Sequence, residues 1–547
     1  MRIVAAVFAD FAETPSGGPS QLGTELHGQT ILARTLHRVA QIEGLAGRYL
    51  FVHPRDEEPA RQALSASGLV GEFDLLPLDT AKRNRRALLR AARKWNLDSW
   101  RGGLMGTSWF DEFVDANAIA IALDHTKSHA IFCFEGHQPV LDPAIASAMI
   151  RHAEAHQHES KITFTQAPPG LAGIVVRAEA VRDLLEMNIP LGLVLSYRPE
   201  LAQYDPIIHS ACYHVAPEIV QTRARLTGDA RRSRELLELA LRELGNAPSA
   251  FDLCRWIDAP GHDRAGPLPV EVELELTTNA SLPSTTLRPR GERVPSRHLN
   301  DLEAVGHLAQ QLARYDDRLI FLGGHGDPLR HPQFADICHI LRDQGVYGIG
   351  VATPLLDLTS QNFEALLANQ IDVLEVQLDA HSPETYQRVH GLDGFARVRE
   401  NIDRVESTRR QQGKPQPIVA CSLTRCAATI SEIEGFFDDW ICNIGTSVIR
   451  GFNDYCGTFP TDTLLSTVPS ERQPCCRLET RLMLLADGTV ALCAQDFRGE
   501  HPLGNWTRQD LQDIWTGETL KRVRRAHASL NLEPVPMCQK CNEWNRP

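Results

Sequence analysis

Short apolar runs alternate with amphipathic helical stretches along most of this chain, and the alternation is interrupted once. Residues 2–8 read as an apolar strand, 30–42 carry helical spacing and 48–52 are strand-like again; the pattern returns at 129–134, 144–155 and 162–165. Such text specifies a mostly parallel sheet covered by helices. From 246 to 269 it turns to Asn-Ala-Pro-Ser, Ala-Pro-Gly-His and Ala-Gly-Pro-Leu-Pro, which break regular structure and read as a linker. Beyond it the alternation restarts, with strands at 270–276, 319–322, 347–351 and 373–378 and helices at 298–315, 333–344 and 362–369. Units of that length favour a parallel barrel or partial barrel, whose chemistry sits at the C-terminal ends of its strands. The final stretch differs again: it is cysteine-bearing, with short strands and one helix over 511–529.

A chain of 547 residues spans several domains at about 150 residues each. With 43% hydrophobic residues, each can build a core. The net charge of −13 disfavours bulk nucleic-acid binding, because an acidic surface repels a phosphate backbone. The apolar run before Asp10 is too short for a signal h-region or a membrane span, so the sequence reads as cytoplasmic. Thirteen cysteines are too sparse for a disulfide scaffold, and in a reducing compartment their grouping points to metal or catalysis.

That grouping is at the C-terminus. Cys538-Gln-Lys-Cys541 places two thiolates on one centre, and Cys493 with one of the pair Cys475-Cys476 completes a four-sulfur set. Spacing alone leaves zinc, an iron–sulfur cluster and unconnected thiols open. The surrounding sequence is more specific: Pro474-Cys475, residues 481–490, Leu492-Cys493, Asp496-Phe497, Leu503-Gly504-Asn505, Asp513-Ile514-Trp515 and Cys538-Gln-Lys-Cys541 with Trp544 resemble the SPASM auxiliary-cluster domain of radical SAM proteins. The resemblance implies one [4Fe–4S] cluster on Cys475, Cys493, Cys538 and Cys541, with Cys476 the register alternative to Cys475.

The preceding segment is similar to the radical SAM partial barrel. Phe321-Leu-Gly-Gly-His-Gly-Asp-Pro-Leu-Arg-His-Pro332 resembles that family's glycine-rich motif after strand two, and Val376-Gln-Leu-Asp379 with Ser382, Tyr386, Arg388 and Gly391 resembles its strand-four segment. The resemblance implies S-adenosylmethionine binding at Gly324, Gly326, Asp327 and Pro328, with Asp327 accepting from the methionine ammonium. The family's C-x-x-x-C-x-x-C is missing: its three positions fall on Ala280, Ser284 and Leu287. Alanine and leucine offer no donor, and serine is a hard ligand of high pKa, so the radical-generating cluster should be absent. A rebuilt site would draw on Cys421 and Cys426, with Cys338, Cys442 and Cys456 scattered elsewhere.

The first half resembles the nucleotidyltransferase fold of sugar-activating cytidylyltransferases, on residues 2–9, 29–39 and 134–143. Such enzymes need a basic glycine-rich loop for the triphosphate and a carboxylate for Mg²⁺. Here the loop Gly17-Gly-Pro-Ser-Gln-Leu-Gly-Thr-Glu25 has no Lys or Arg, His137 stands at the metal position, and Asp142 reads as a turn residue or helix cap.

Lys521, Arg522, Arg524 and Arg525 read as a solvated helix end, as do Arg83, Arg85, Arg86, Arg90, Arg93 and Lys94 as an exposed helix face. His325 and His331 read as hydrogen-bonded structural histidines.

The sequence therefore predicts four segments: a degenerate nucleotidyltransferase-like α/β sandwich (1–245), the linker (246–269), a radical-SAM-like partial (β/α) barrel without cluster cysteines (270–465) and a small SPASM-like iron–sulfur domain (466–547). The function expected is binding, scaffolding or altered chemistry in surface-glycan or activated-sugar metabolism, with a nucleotide, sugar or protein partner. Two alternatives stand beside it, a radical SAM enzyme with a rebuilt cluster acting on a sugar, lipid or peptide, and a zinc-stabilised interaction protein.

Overall fold

The computed structural model describes all residues except 79–82, 94–97, 198–202, 260–265, 284–286, 461, 465–467 and 546–547. The chain divides into two units, Met1–His262 and Asp263–Pro547, so the division falls inside the expected linker.

The first unit is built on a six-stranded sheet of β1 (Ile3–Ala9), β2 (Arg48–Val52), β3 (Asp74–Pro77), β4 (Ala130–Glu135), β5 (Ile162–Thr163) and β6 (Ile174–Arg177), in the order β3-β2-β1-β4-β6-β5. The first four in that order are parallel, β6 runs antiparallel to them, and β5 at the edge pairs antiparallel with β6. Strand β1 is apolar throughout because both its faces are covered. Ile3, Ala5 and Val7 enter one core, Val4 and Ala6 the other. The strand order reverses between β1 and β4, and in an open α/β sheet the crevice beyond that point receives ligands.

The stretch expected as linker is partly structured. Ser249 accepts from the Asp252 amide at 3.1 Å and caps the helix Ala250–Ile257, which buries Leu253, Cys254 and Ile257 in the first unit's core. Its Pro and Gly flank a short amphipathic helix instead of replacing it.

In the second unit β7 (Glu271–Glu275), β8 (Leu319–Gly323), β9 (Gly348–Thr353), β10 (Val373–Gln377), β11 (Ile418–Arg425) and β12 (Ser447–Gly451) lie parallel and in sequence order, linked by helices, as an open (β/α) barrel requires. Alternate residues serve different layers. Val272, Leu274, Ile320, Leu322, Ile349, Val351, Leu374 and Val376 join the helix-covered core, and their neighbours Glu273, Phe321, Glu375, Gln377 and Arg450 do not.

The C-terminal segment is not a separate body. Strand β13 (Arg481–Leu484) pairs in parallel with β7, and β14 (Thr489–Ala491) and β15 (Pro502–Asn505) continue antiparallel, so the sheet has nine strands. Leu482, Leu484, Val490, Trp506, Ile514 and Trp515 share one core with the barrel. The helix expected over 511–529 is two, Leu511–Trp515 and Glu518–Ala528. Gly517 divides them where a Cβ would lie 2.8 Å from the Asp513 carbonyl oxygen. No helix among the described residues is long and apolar enough to cross a membrane.

Candidate functional site

The fold gathers the C-terminal cysteines. Cys493 follows β14, Cys538 lies in the short helix Pro536–Gln539 with Cys541 just beyond it, and Cys475 precedes the helix Arg477–Thr480. Arg472 reaches across, donating to the Cys541 and Cys538 carbonyl oxygens at 3.0 Å each and lying 5.1 Å from the Trp544 ring centroid. The Glu543 amide donates to Cys541 Sγ at 3.3 Å, and the Cys475 amide to His527 Nδ1 at 3.4 Å.

The thiols act on one another. Burial, with the neighbouring thiols adding to it, pushes Cys475 up to about 11 and Cys538 up to about 12. Burial raises Cys493 too, with Cys541, Cys538 and Cys475 adding to the rise. Cys541 is held down at about 7 by a hydrogen bond from Cys456. Cys493 and Cys538 both feel the Cys475 thiol, and Cys475 in turn feels Cys476. Among the described residues no three ligand-type side chains already meet at metal-binding distance. The donors are nonetheless all soft sulfur within electrostatic reach of each other, which fits iron–sulfur chemistry and leaves zinc as the other ion of matching softness.

Above the barrel, the glycine-rich motif is shaped by its own backbone. A Cβ on Gly326 would lie 2.1 Å from the Thr277 carbonyl oxygen, and one on Gly324 (φ +86°) 2.8 Å from Glu275 Cβ. Asp327 is fully buried, and desolvation raises its pKa. Its carboxylate accepts from Thr353 Oγ1 at 2.8 Å, from the Leu329 amide at 3.1 Å and from the Ser281 hydroxyl. The turn Pro328–Arg330 that it caps is likewise buried at Pro328. His331 is structural as expected: Nε2 meets the Leu299 carbonyl at 2.7 Å and the ring stacks on His298. His325 is buried between Tyr455 and Phe497, its Nε2 without a partner.

At the three positions of the missing cysteines, Ala280 is half-buried, Leu287 packs with Val389, Cys426 and Phe452, and Ser284 lies outside the described residues. Cys421 faces the helix-covered core and Cys426 meets Thr429. Three arginines that the sequence did not single out follow the loop. Arg288 pairs with Asp379, Arg290 donates to Gln377 Oε1 at 2.7 Å, and Arg297 holds Glu275 at 2.6 and 3.1 Å. Arg297 also donates to the Phe497 carbonyl oxygen at 3.0 Å, tying the barrel to the C-terminal segment.

Arg290 is the unusual one. It is only 3% exposed, and no carboxylate lies within 4.0 Å of it among the described residues. Burial, with Arg288 beside it, pushes its pKa down to about 10. Its charge is felt by Tyr386, His390 and His325, and each carries a buried atom without a partner: Tyr386 Oη, His390 Nδ1 and His325 Nε2. The His390 Nε2 atom meets the Leu378 carbonyl at 3.0 Å, which makes Nδ1 a bare acceptor.

In the first unit His137 is fully buried beyond β4, where the sequence reading placed the metal position. Its Nδ1 meets Glu135 Oε1 at 2.6 Å and its Nε2 accepts the Gln21 amide at 3.2 Å, so one ring nitrogen is held by the strand end and the other pins the glycine-rich loop. Asp142 is a helix cap, accepting from Ala144 and Ile145 at 2.8 and 3.1 Å. The expected exposed basic face is corrected at Arg93, which is buried and bridges Asp229 at 2.8 Å and Glu112 at 3.2 Å. Arg225 completes that quartet at 2.7 Å from Glu112 and 2.9 Å from Asp229. Arg90 packs beside Gly17, supplying a cation next to a loop that has none. The side chains of Arg83, Arg85 and Arg86 and the whole of Lys94 fall outside the described residues. Arg524 is also no solvated residue: it braces the Leu478 and Trp515 carbonyls at 2.9 and 3.0 Å.

Residues 475–542 match the SPASM family model, an iron-sulfur cluster-binding domain. A protein of Treponema pallidum (strain Nichols), described as uncharacterized, is 26% identical over 294 residues, which is 51% of this chain and 79% of that protein. Among solved structures, BtrN in complex with AdoMet and 2-DOIA is 14% identical over 50% of this chain and 93% of its own, at TM-score 0.34. Streptococcus suis SuiB bound to precursor peptide SuiA is 11% identical over 53% of this chain and 72% of its own, at TM-score 0.40. A cytidylyltransferase from Leptospira borgpetersenii serovar Hardjo-bovis (strain JB197) is 14% identical over 47% of this chain and 94% of its own, at TM-score 0.32.

Proposed function

We propose that this chain is an iron–sulfur protein of radical SAM/SPASM architecture that keeps an auxiliary [4Fe–4S] cluster on Cys475, Cys493, Cys538 and Cys541 and has no radical-generating cluster. The observation that carries the reading is at the barrel mouth. The three cysteine positions hold Ala280, Ser284 and Leu287, and the arginines that follow tie the loop to Asp379, Gln377 and Glu275. Without three thiolates on one cluster there is no open iron for S-adenosylmethionine, so the barrel acts by binding.

A bound auxiliary cluster would supply electron storage and a covalent staple between distant segments. The residues around it do the rest: Arg472 fixes the Cys538 and Cys541 carbonyls, and the Glu543 amide directs a hydrogen bond at the Cys541 sulfur. Within the barrel, Asp327 is committed to Ser281, Thr353 and Leu329, and a methionine ammonium would have to displace one of them. This favours a ligand position at Arg290, whose guanidinium donates to Gln377 and suits a carboxylate or phosphate. The bare His390 acceptor and the Tyr386 hydroxyl suit a ligand that also carries hydroxyls, such as an activated sugar or nucleotide. In the first unit, His137 spends the position a metal carboxylate would take, which supports sugar or nucleotide recognition without turnover, in surface-glycan or activated-sugar metabolism.

Incubation of the anaerobic protein with S-adenosylmethionine and dithionite tests the reading. No 5′-deoxyadenosine is expected above a protein-free control; its stoichiometric production would show a working radical cluster and overturn the proposal.

A further inference from the structure

The inner face of the barrel, deeper than the mouth, carries two carboxyl groups with oxygens left to bind. Glu273 stands two residues before Glu275 on β7, and its Oε1 accepts the Gly324 amide at 3.0 Å. The two arginines whose charge it feels are paired elsewhere, Arg450 with Glu375 Oε2 and Arg481 with Glu271 at 3.1 Å. Desolvation raises the Glu273 carboxyl pKa, a cost that a cation placed beside it offsets. Glu375 stands two residues before Gln377 on β10 and is 5% exposed, and its Oε1 is buried without a partner. A buried acceptor left bare is costly unless a ligand takes it.

The two strands between them leave room. A Cβ on Gly323 would lie 3.4 Å from Glu273 Oε1, 3.5 Å from Ala352 Cβ and 3.7 Å from Phe321 Cδ1. The Glu273 carboxyl therefore lies along the bare backbone of β8 toward Ala352, with the Phe321 ring edge beside it. Ala352 is the strand partner of Glu375, and Gly350 adds no side chain to the same face of β9.

Charge and spacing select the occupant. Arg450 neutralises Glu375, so the two ionised carboxylates carry one net negative charge between them. That suits a monocation and not a divalent ion, and among the described residues no three ligand-type side chains meet at metal-binding distance. An ammonium group supplies donors for Glu273 and for Glu375 Oε1, and it is attracted to an aromatic ring. Its distance from the anion position is set by the strand: Glu375 and Gln377, which receives Arg290, are roughly 7 Å apart along β10. In an α-amino acid the ammonium and carboxylate share one carbon and cannot reach both places, whereas in an amino sugar the two groups stand across a ring.

We propose that the barrel interior binds a primary ammonium group between Glu273 and Glu375, so that the ligand of Arg290 is an amino sugar with its anionic group across the ring from its amine. The proposal rests on the reading of Arg290 as the anion position.

The test is isothermal titration calorimetry of the full chain at pH 7 with glucosamine 6-phosphate and glucose 6-phosphate, two probes that differ by an ammonium against a hydroxyl. Wild type is compared with Glu273→Gln, which keeps an acceptor for the Gly324 amide, and with Arg290→Gln, each checked by circular dichroism. Wild type is expected to bind the amino sugar about tenfold tighter or more, the scale of one charge-assisted hydrogen bond. Glu273→Gln should remove that preference, and Arg290→Gln should weaken both probes alike. Equal affinity of wild type for the two probes, or a preference that survives in Glu273→Gln, overturns the amine site. Wild type that binds neither probe, or Arg290→Gln that weakens neither, overturns the anion reading at Arg290 and the proposal with it.

Discussion

Two arginines on the loop after β7 face opposite electrostatic situations. Arg297 is buried against Glu275 with two short hydrogen bonds, and removing it strands a carboxylate in the interior. Arg297→Gln is expected to cost about 3 kcal/mol or more in urea unfolding, the range for breaking a buried pair from one side. Arg290 has no carboxylate within hydrogen-bonding reach, and Asp327 and Asp379 offset its charge only at longer range, so Arg290→Gln is expected to leave the urea midpoint nearly unchanged. A large loss of stability in Arg290→Gln would contradict the reading of that side chain as held for a ligand. Buried histidines add a pH dependence, since burial pushes His325 and His390 down to about 4. Above pH 6.5 the imidazoles are neutral in both folded and unfolded chains and contribute nothing to it. Between 6.5 and 4 the unfolded chain takes up protons that the folded chain refuses, so stability falls with pH at about 1.4 kcal/mol per unit for each histidine. Urea midpoints at pH 7 and pH 5 measure this, and His390→Gln should shrink the difference by that histidine's share while His325 keeps its own.

At the scale of elements, periodicity located β1, β2, β4 and β5 of the first sheet and β7 to β10 of the second to within a few residues, because covered strands announce themselves by their apolar spacing, but it did not mark β3, β6 or β12. What it missed depended on partners distant in sequence. Arg93 reads as surface until Glu112 and Asp229 are brought beside it. The helix Ala250–Ile257 was hidden by the Pro and Gly around it, and the break at Gly517 by an uninterrupted amphipathic pattern. Of the candidate sites, the thiol set was legible from motif and spacing, whereas the commitment of Asp327 and His137 to protein partners was not. The glycine motif gives a contrast that stability measurements resolve. Gly326→Ala drives a Cβ into the Thr277 carbonyl and is expected to cost about 3 kcal/mol or more, at the top of overpacking costs. Gly306→Ala, inside the helix Leu302–Ala313 with open space around it, should stabilise by about 1 kcal/mol through helix propensity. Equal effects of the two would mean that the motif is not shaped by its own backbone.

At the scale of the whole molecule, each unit carries its own cores, and the cysteine segment belongs to the second through β13 and the core around Trp515. Expressed separately, residues 1–262 and 263–547 should each unfold cooperatively, with iron only in the latter. The account stands or falls on how many clusters the chain holds. Iron and acid-labile sulfide per chain on anaerobically purified protein, beside Cys538→Ala, measure it most directly. About four of each, lost in the variant, is the result expected of one auxiliary cluster and a silent barrel, whereas about eight of each in wild type would contradict it by showing a second cluster outside the C-terminal thiols.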